Sequence, residues 1–132
     1  MKNRIMYIEH KSGQSDNGAA WIGKVEFSKS GKSIYFNGQA FKKMTGTAFA
    51  YSEYSNYFDF ETGETYWISG IKKNGQNRHC AGAGKLRLDK TIVQEYLSLV
   101  DFDTLDPQNY ELVDIKPTDK AKFTEMENES IR

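Results

Sequence analysis

Residues 65–84 read TYWISGIKKNGQNRHCAGAG. Asn74-Gly75 is the strongest short-range signal for a two-residue hairpin turn, because a type I′ turn needs positive φ at both central residues. A turn there places Ile71 opposite Arg78, Ser69 opposite Cys80 and Trp67 opposite Gly82. Side chains alternate across a strand. One face therefore carries Trp67, Ser69 and Ile71 with Arg78, Cys80 and Gly82. The other carries Tyr66, Ile68, Gly70 and Lys72 with Asn77, His79, Ala81 and Ala83. A two-stranded hairpin is not stable alone, so this stretch demands a surrounding sheet.

The segments before it supply one. Arg4–Lys11 alternates as a strand, with Ile5, Tyr7 and Glu9 on one face and Met6, Ile8 and His10 on the other. Ala20–Ser28 follows a polar loop, with Trp21, Gly23, Val25 and Phe27 pointing one way and Ile22, Lys24 and Glu26 the other. Gly23 inside that strand signals a bulge or a close backbone approach. Lys29–Lys32 is a turn, Ser33–Phe36 a third strand, and Asn37-Gly38 a second strong hairpin turn into Gln39–Met44. Residues 45–56 read as a long loop rich in tyrosine. Tyr57–Glu61 and the turn Thr62-Gly63 lead into the Thr65 strand.

Beyond the hairpin, Lys85–Leu88 alternates again and Asp89 reads as a helix N-cap. Thr91–Val100 carries a helical apolar stripe of Ile92, Val93, Tyr96, Leu97 and Val100. Tyr110–Ile115 is open to a further strand. The polar stretch after Lys116 is expected to be disordered. The expected fold is mainly β (β+α): a bent antiparallel sheet or small barrel of six to eight strands, with one helix at about 90–100. A single β-rich domain spans 1–115, and 116–132 is a tail.

The 132 residues suffice for one domain with a real core. Eight Phe, eight Tyr and two Trp suit pleated surfaces, and Cys80 is the only cysteine, so no intrachain disulfide forms. Met1-Lys2-Asn3-Arg4 runs straight into a strand pattern, and no apolar run approaches a membrane span. The expectation is a cytoplasmic protein without membrane contact. Net charge is zero, yet residues 1–90 hold 14 Lys and Arg against 8 Asp and Glu, and residues 91–132 hold 4 against 10. The plain reading is a solvated body with an acidic tail; the sharper one has the tail covering a basic surface.

The segments RIMYIEHK, IGKVEFSKSGKSIYFNGQ and ETGETYWISGIKKNGQNRH resemble a small bacterial protein family. Its pattern is an M-Y-I-E start, an F-S-K-x-G-K-x-x-Y hairpin and a Y-W-I-S-G-x-K hairpin ending at Arg-His. The likeness covers residues 4–90 and implies a grouping without a chemistry.

No nucleotide loop is present, since Gly82-Ala83-Gly84-Lys85 lacks the outer glycine and the Lys-Ser/Thr ending. No metal-ligand spacing exists among His10, His79 and Cys80, and no cofactor is expected. Glu9, Glu26 and Asp59 supply carboxylates that spacing does not pair. The informative cluster is aromatic and basic: Tyr54, Tyr66, Trp67, Lys72, Lys73, Arg78 and His79. Single-stranded nucleic acid is held by such surfaces, with bases on aromatic faces and phosphates on cations. The expectation is a non-enzymatic binding module for single-stranded nucleic acid or another polyanion. The alternatives are a protein-interaction domain using the aromatic loop 45–57, or a small enzyme using His79 or Cys80.

Overall fold

The computed structural model describes residues 3–11, 18–45, 55–74 and 84–131. Eight strands form one sheet: β1 (Arg4–His10), β2 (Ala20–Phe27), β3 (Ser33–Phe36), β4 (Gln39–Lys43), β5 (Tyr57–Asp59), β6 (Thr65–Gly70), β7 (Leu86–Asp89) and β8 (Tyr110–Val113). The first six run β1-β6-β5-β4-β3-β2, and β2 pairs back onto β1. They make a closed antiparallel barrel, which leaves no edge among its own strands.

Alternation decides what fills it. Met6, Ile8, Val25, Ile34, Phe36, Phe41, Tyr66 and Ile68 point inward and form one buried cluster. Aromatic and branched side chains fill the lumen of so small a barrel rather than leaving a channel. Gly23 shows why the lumen wall needs a glycine. A Cβ built there would lie 2.3 Å from Cε1 of Phe36, so the ring occupies the space that a side chain would take. The turn at Asn37-Gly38 has positive φ at both residues, 53° and 78°, as a type I′ hairpin requires.

The odd-numbered residues of β1 face the opposite way. Ile5 and Tyr7 join Ala20 and Ile22 of β2 in a second cluster on the barrel's outer wall. β1 is therefore buried on both faces. A parallel β-α-β unit covers this wall. β7 pairs with β2 through Trp21–Arg87 and Ile22–Leu88, and β8 pairs with β7. Between them lie a short 3-10 turn, Lys90–Ile92, and the helix α1, Val93–Val100. Asp89 caps the turn, its Oδ1 accepting from Thr91 N at 2.9 Å. Ile92, Tyr96 and Val100 are buried against Leu86 and Leu88. Val93 and Leu97, expected in the same stripe, are only half-buried, because the sheet beneath meets a narrower arc of the helix.

Two expectations need correction. The fold has a second helix, α2, at Lys120–Ile131, where a disordered tail was expected from 116. Its Phe123 is buried against Tyr35 and Ala40, with Phe60 and Met126 packed around them. One aromatic residue in a polar segment anchors it, a signal too sparse for periodicity to register. Residues 91–132 meet the body with both charges: Lys120 pairs with Glu26 and Lys122 with Glu61, while Glu95 pairs with Lys24 and Asp114 with Lys90.

The second concerns the central hairpin, in its expected pairing of Trp67 with Gly82. Its return arm, residues 76–82, lies outside the described residues. The strand itself is already flanked on both sides. On one side Ile68 pairs with Ile8 and Trp67 with Glu9 of β1. On the other, Tyr66 pairs with Tyr57 of β5, and the Asn56 side chain takes over the ladder. Its Nδ2 donates to Ile68 O, and Ile68 N donates to its Oδ1, both at 2.8 Å. No side of Tyr66–Ile68 is left for a hairpin partner.

Candidate functional site

An antiparallel barrel places strand starts and strand ends alternately at its two mouths. One mouth collects the start of β1, the β2–β3 turn, the end of β4, the start of β5 and the exit from β6. Its described residues carry Arg4, Lys29, Lys32, Lys43, Lys72 and Lys73, all exposed, and no Asp or Glu. Lys42 lies one residue further in on β4. Glu26, one residue further in on β2, is ion-paired with Lys120.

These cations come from separate segments that the sheet joins. Lys43 N donates to Lys32 O at 3.2 Å, so the β2–β3 turn adjoins the end of β4. Lys43 is also the register partner of Tyr57. The Arg4 guanidinium lies 3.4 Å from the position a Cβ would take on Gly70, beside the exit that leads to Lys72. Phe27 and Tyr57 are half-buried at the edge of the lumen cluster at this mouth. Burial raises the Tyr57 phenol above its ordinary pKa, so it stays neutral under a cationic rim.

The expected site residues part company here. Lys72 and Lys73 are exposed at this mouth. Tyr66 is inside the barrel, its ring 4.6 Å from that of Phe41 in an edge-on contact, and it offers no face to a base. Trp67 points out of the wall with 37% of its surface exposed. The two cannot form one platform, since neighbouring strand residues face opposite ways. Tyr54, Arg78, His79 and Cys80, and most of the loop 45–57, lie outside the described residues. Sequence reasoning missed Arg4, Lys29, Lys32, Lys43 and Phe27. The available signal was parity: in a closed barrel, every second strand junction falls at the same mouth.

The opposite mouth holds the carboxylates, and each has a structural task. Glu9 is 3% exposed and held by the Tyr7 hydroxyl and by Lys11 Nζ, the latter at 2.7 Å. Asp59 Oδ1 accepts from Glu61 N at 2.7 Å and Thr62 N at 3.1 Å, closing the β5–β6 turn. Its Oδ2 accepts from Gln39 Nε2 at 2.8 Å. The same nitrogen lies 3.3 Å from the Tyr66 hydroxyl. Burial raises that phenol's pKa, the Gln39 hydrogen bond lowers it, and Asp59 and Glu64 raise it; the net direction is up. His10 Nε2 approaches Glu64 Oε2 to 2.9 Å but is not aligned with it as a hydrogen bond. Its ring stacks, tilted, at 4.9 Å from Tyr66. Glu9, Glu26 and Asp59 are thus occupied separately and do not pair for acid–base work. Among the described residues no group of three His, Cys, Asp or Glu is placed to hold a metal ion, and no helix is long and apolar enough to cross a membrane.

A cleft of about 280 Å³ opens where β2 parts from β7 to meet β3, lined by Lys24, Glu26, Asn37, Asp89, Asp114 and Lys116 among others. Its charges are largely spoken for. Lys24 pairs with Glu95 at 3.1 Å, and Asp114 with Lys90 at 2.7 Å. Asp89 caps the 3-10 turn. Comparison with protein-family models, curated proteins and solved structures finds no match.

Proposed function

We propose that the protein is a non-enzymatic binding module that holds a polyanion, single-stranded nucleic acid foremost, at the basic mouth of its barrel. One observation carries this reading: Arg4, Lys29, Lys32, Lys43, Lys72 and Lys73 gather at one mouth with no carboxylate among its described residues. A cationic surface on a low-dielectric wall concentrates anions and steers their approach. Phe27 and Tyr57 at the lumen edge supply ring faces where bases stack, and stacking tolerates any sequence because every base has a π-face. Glu26, one residue further in on β2, is engaged by Lys120 and does not compete for these cations.

The test is titration of a fluorescent oligothymidylate by anisotropy at several salt concentrations. Binding weakens as salt rises, because each neutralised phosphate releases counterions; the log–log slope is about −0.7 per phosphate for single strands. Lys72→Ala with Lys73→Ala makes the slope shallower by about 0.7 for each phosphate no longer neutralised. No binding at low salt with protein in the high micromolar range overturns the proposal. Binding that does not respond to salt overturns it in favour of an uncharged partner.

A further inference from the structure

Closing the barrel removes the edges of its own strands, but the β-α-β unit brings one back. Among the described residues β8 ends the sheet, with β7 on one side. Asn109 O accepts from Leu86 N at 2.9 Å, which fixes the direction of the strand's backbone groups. The C=O of Asn109 and the backbone groups of Glu111 and Val113 face β7, while Asn109 N donates to Asp106 O. Tyr110, Leu112 and Asp114 turn theirs away, and Tyr110 N accordingly donates to Asp106 O in the preceding turn. The N–H and C=O of Leu112 therefore face outward from the sheet. Leu112 also has the most exposed large apolar side chain among the described residues, at 54%. A ladder position and an apolar contact coincide on one residue.

Charge decides what fits there. Residues 101–115 contain Asp101, Asp103, Asp106, Glu111 and Asp114 and no Lys or Arg; of these, Asp114 is paired with Lys90. Arg87, the register partner of Glu111, lies over the Trp21 ring, 5.2 Å from its centroid. A second copy pairing β8 on β8 would bring two such carboxylate-rich segments together, and like charges across a ladder are unfavourable.

We infer that the free edge of β8 is a docking site for a basic, extended peptide segment, which adds as a further strand. Backbone hydrogen bonds to Leu112 supply the pairing, and alternate side chains supply the selection, as in other strand-addition complexes. An apolar side chain of the peptide lies against Leu112, and Lys or Arg at adjoining positions meets Glu111 on the other face. This surface is distinct from the basic mouth, so the two readings stand or fall separately.

The experiment selects a displayed library of random heptapeptides on the full chain, then titrates the enriched sequences as labelled peptides. The expected peptides alternate Lys or Arg with apolar residues. Leu112→Pro, which removes the outward N–H, weakens them at least tenfold. Glu111→Lys leaves the ladder intact and also weakens them, with a loss that shrinks at high salt. The amides of Leu112 and Asp114 gain protection from hydrogen exchange when peptide binds. Absence of enrichment overturns the inference. So does an affinity unchanged in Glu111→Lys, or protection that appears away from β8. A dimer of the free chain that Leu112→Pro dissociates overturns it in favour of a second copy.

Discussion

Tyr96 and Tyr110 share a hydrogen bond of 2.8 Å between their hydroxyls in the cluster under α1. Burial, and then the neighbouring Tyr110 hydroxyl, pushes the Tyr96 phenol far above its ordinary pKa. The folded state thus keeps a proton that the unfolded chain releases near pH 10. The Tyr96 contribution to stability is therefore constant through neutral pH and falls as pH rises above about 10. Urea melts between pH 7 and 11 should show that decline, and Tyr96→Phe should make it shallower, leaving the part that the raised phenols of Tyr57 and Tyr66 contribute. The same variant strands the Tyr110 hydroxyl and should cost about 1–3 kcal/mol near neutral pH. Gly23 is the other telling residue. Gly23→Ala forces the Phe36 ring, itself buried, to move, and overpacking of this kind costs about 1–3 kcal/mol. A melting temperature equal to that of the parent chain would contradict the close approach.

Two helices illustrate different sources of stability at the scale of the element. α1 has a cap and an apolar stripe, and the structure narrows that stripe to Ile92, Tyr96 and Val100. Ile92→Ala should cost about 2–5 kcal/mol, as core truncations do. Leu97→Ala, half-buried, should cost roughly 1 kcal/mol on an area basis. Equilibrium denaturation of the two variants separates a three-residue core face from the wider one. α2 is twelve residues long, a length at which isolated helices are marginal in water. Its hold is Phe123 in the pocket formed by Tyr35, Ala40 and Phe60. Truncating a buried Phe typically costs about 3–5 kcal/mol, and the two surface ion pairs offset little of that. Phe123→Ala should release α2 and leave the barrel folded. Trypsin should then cut after Lys120 or Lys122 well before it degrades the remainder.

Over the whole molecule, charge is sorted by mouth. Cations gather at one end of the barrel. Glu9, Asp59, Glu61 and Glu64 belong to the other, where Glu9 and Asp59 are buried and Glu61 and Glu64 are paired or approached. Composition showed only a division near residue 90. The spatial division is different, because the antiparallel path returns to each mouth several times. On the proposed reading, the charges of Lys29 and Lys32 serve ligand binding more than folding. Lys29→Glu with Lys32→Glu should leave the denaturation midpoint within the range of ordinary surface changes, about 0.5 kcal/mol, while lowering affinity for oligothymidylate at low salt.

What could be read from the chain alone was whatever neighbours in the chain decide. Asn37-Gly38 forms its turn because both residues tolerate positive φ, and Asp89 caps because its carboxylate reaches an amide two residues on. The faces of β1 and β2 followed from alternation, and so did the small-barrel class. Asn74-Gly75 is as strong a local signal, and its return arm lies outside the described residues; yet between Tyr66 and Ile68 β6 spends its two edges on β1, β5 and Asn56, which excludes the pairing of Trp67 with Gly82. Strand partners are chosen by competition among all segments of the folded chain, which a turn dipeptide does not record. Alternation likewise separated Tyr66 from Trp67, but only barrel closure decided which of them was inside. Phe123 found its pocket, and six cations from distant segments found one mouth, because packing brought those segments together. Those placements belong to the tertiary structure, since they depend on contacts between residues that are far apart in the chain.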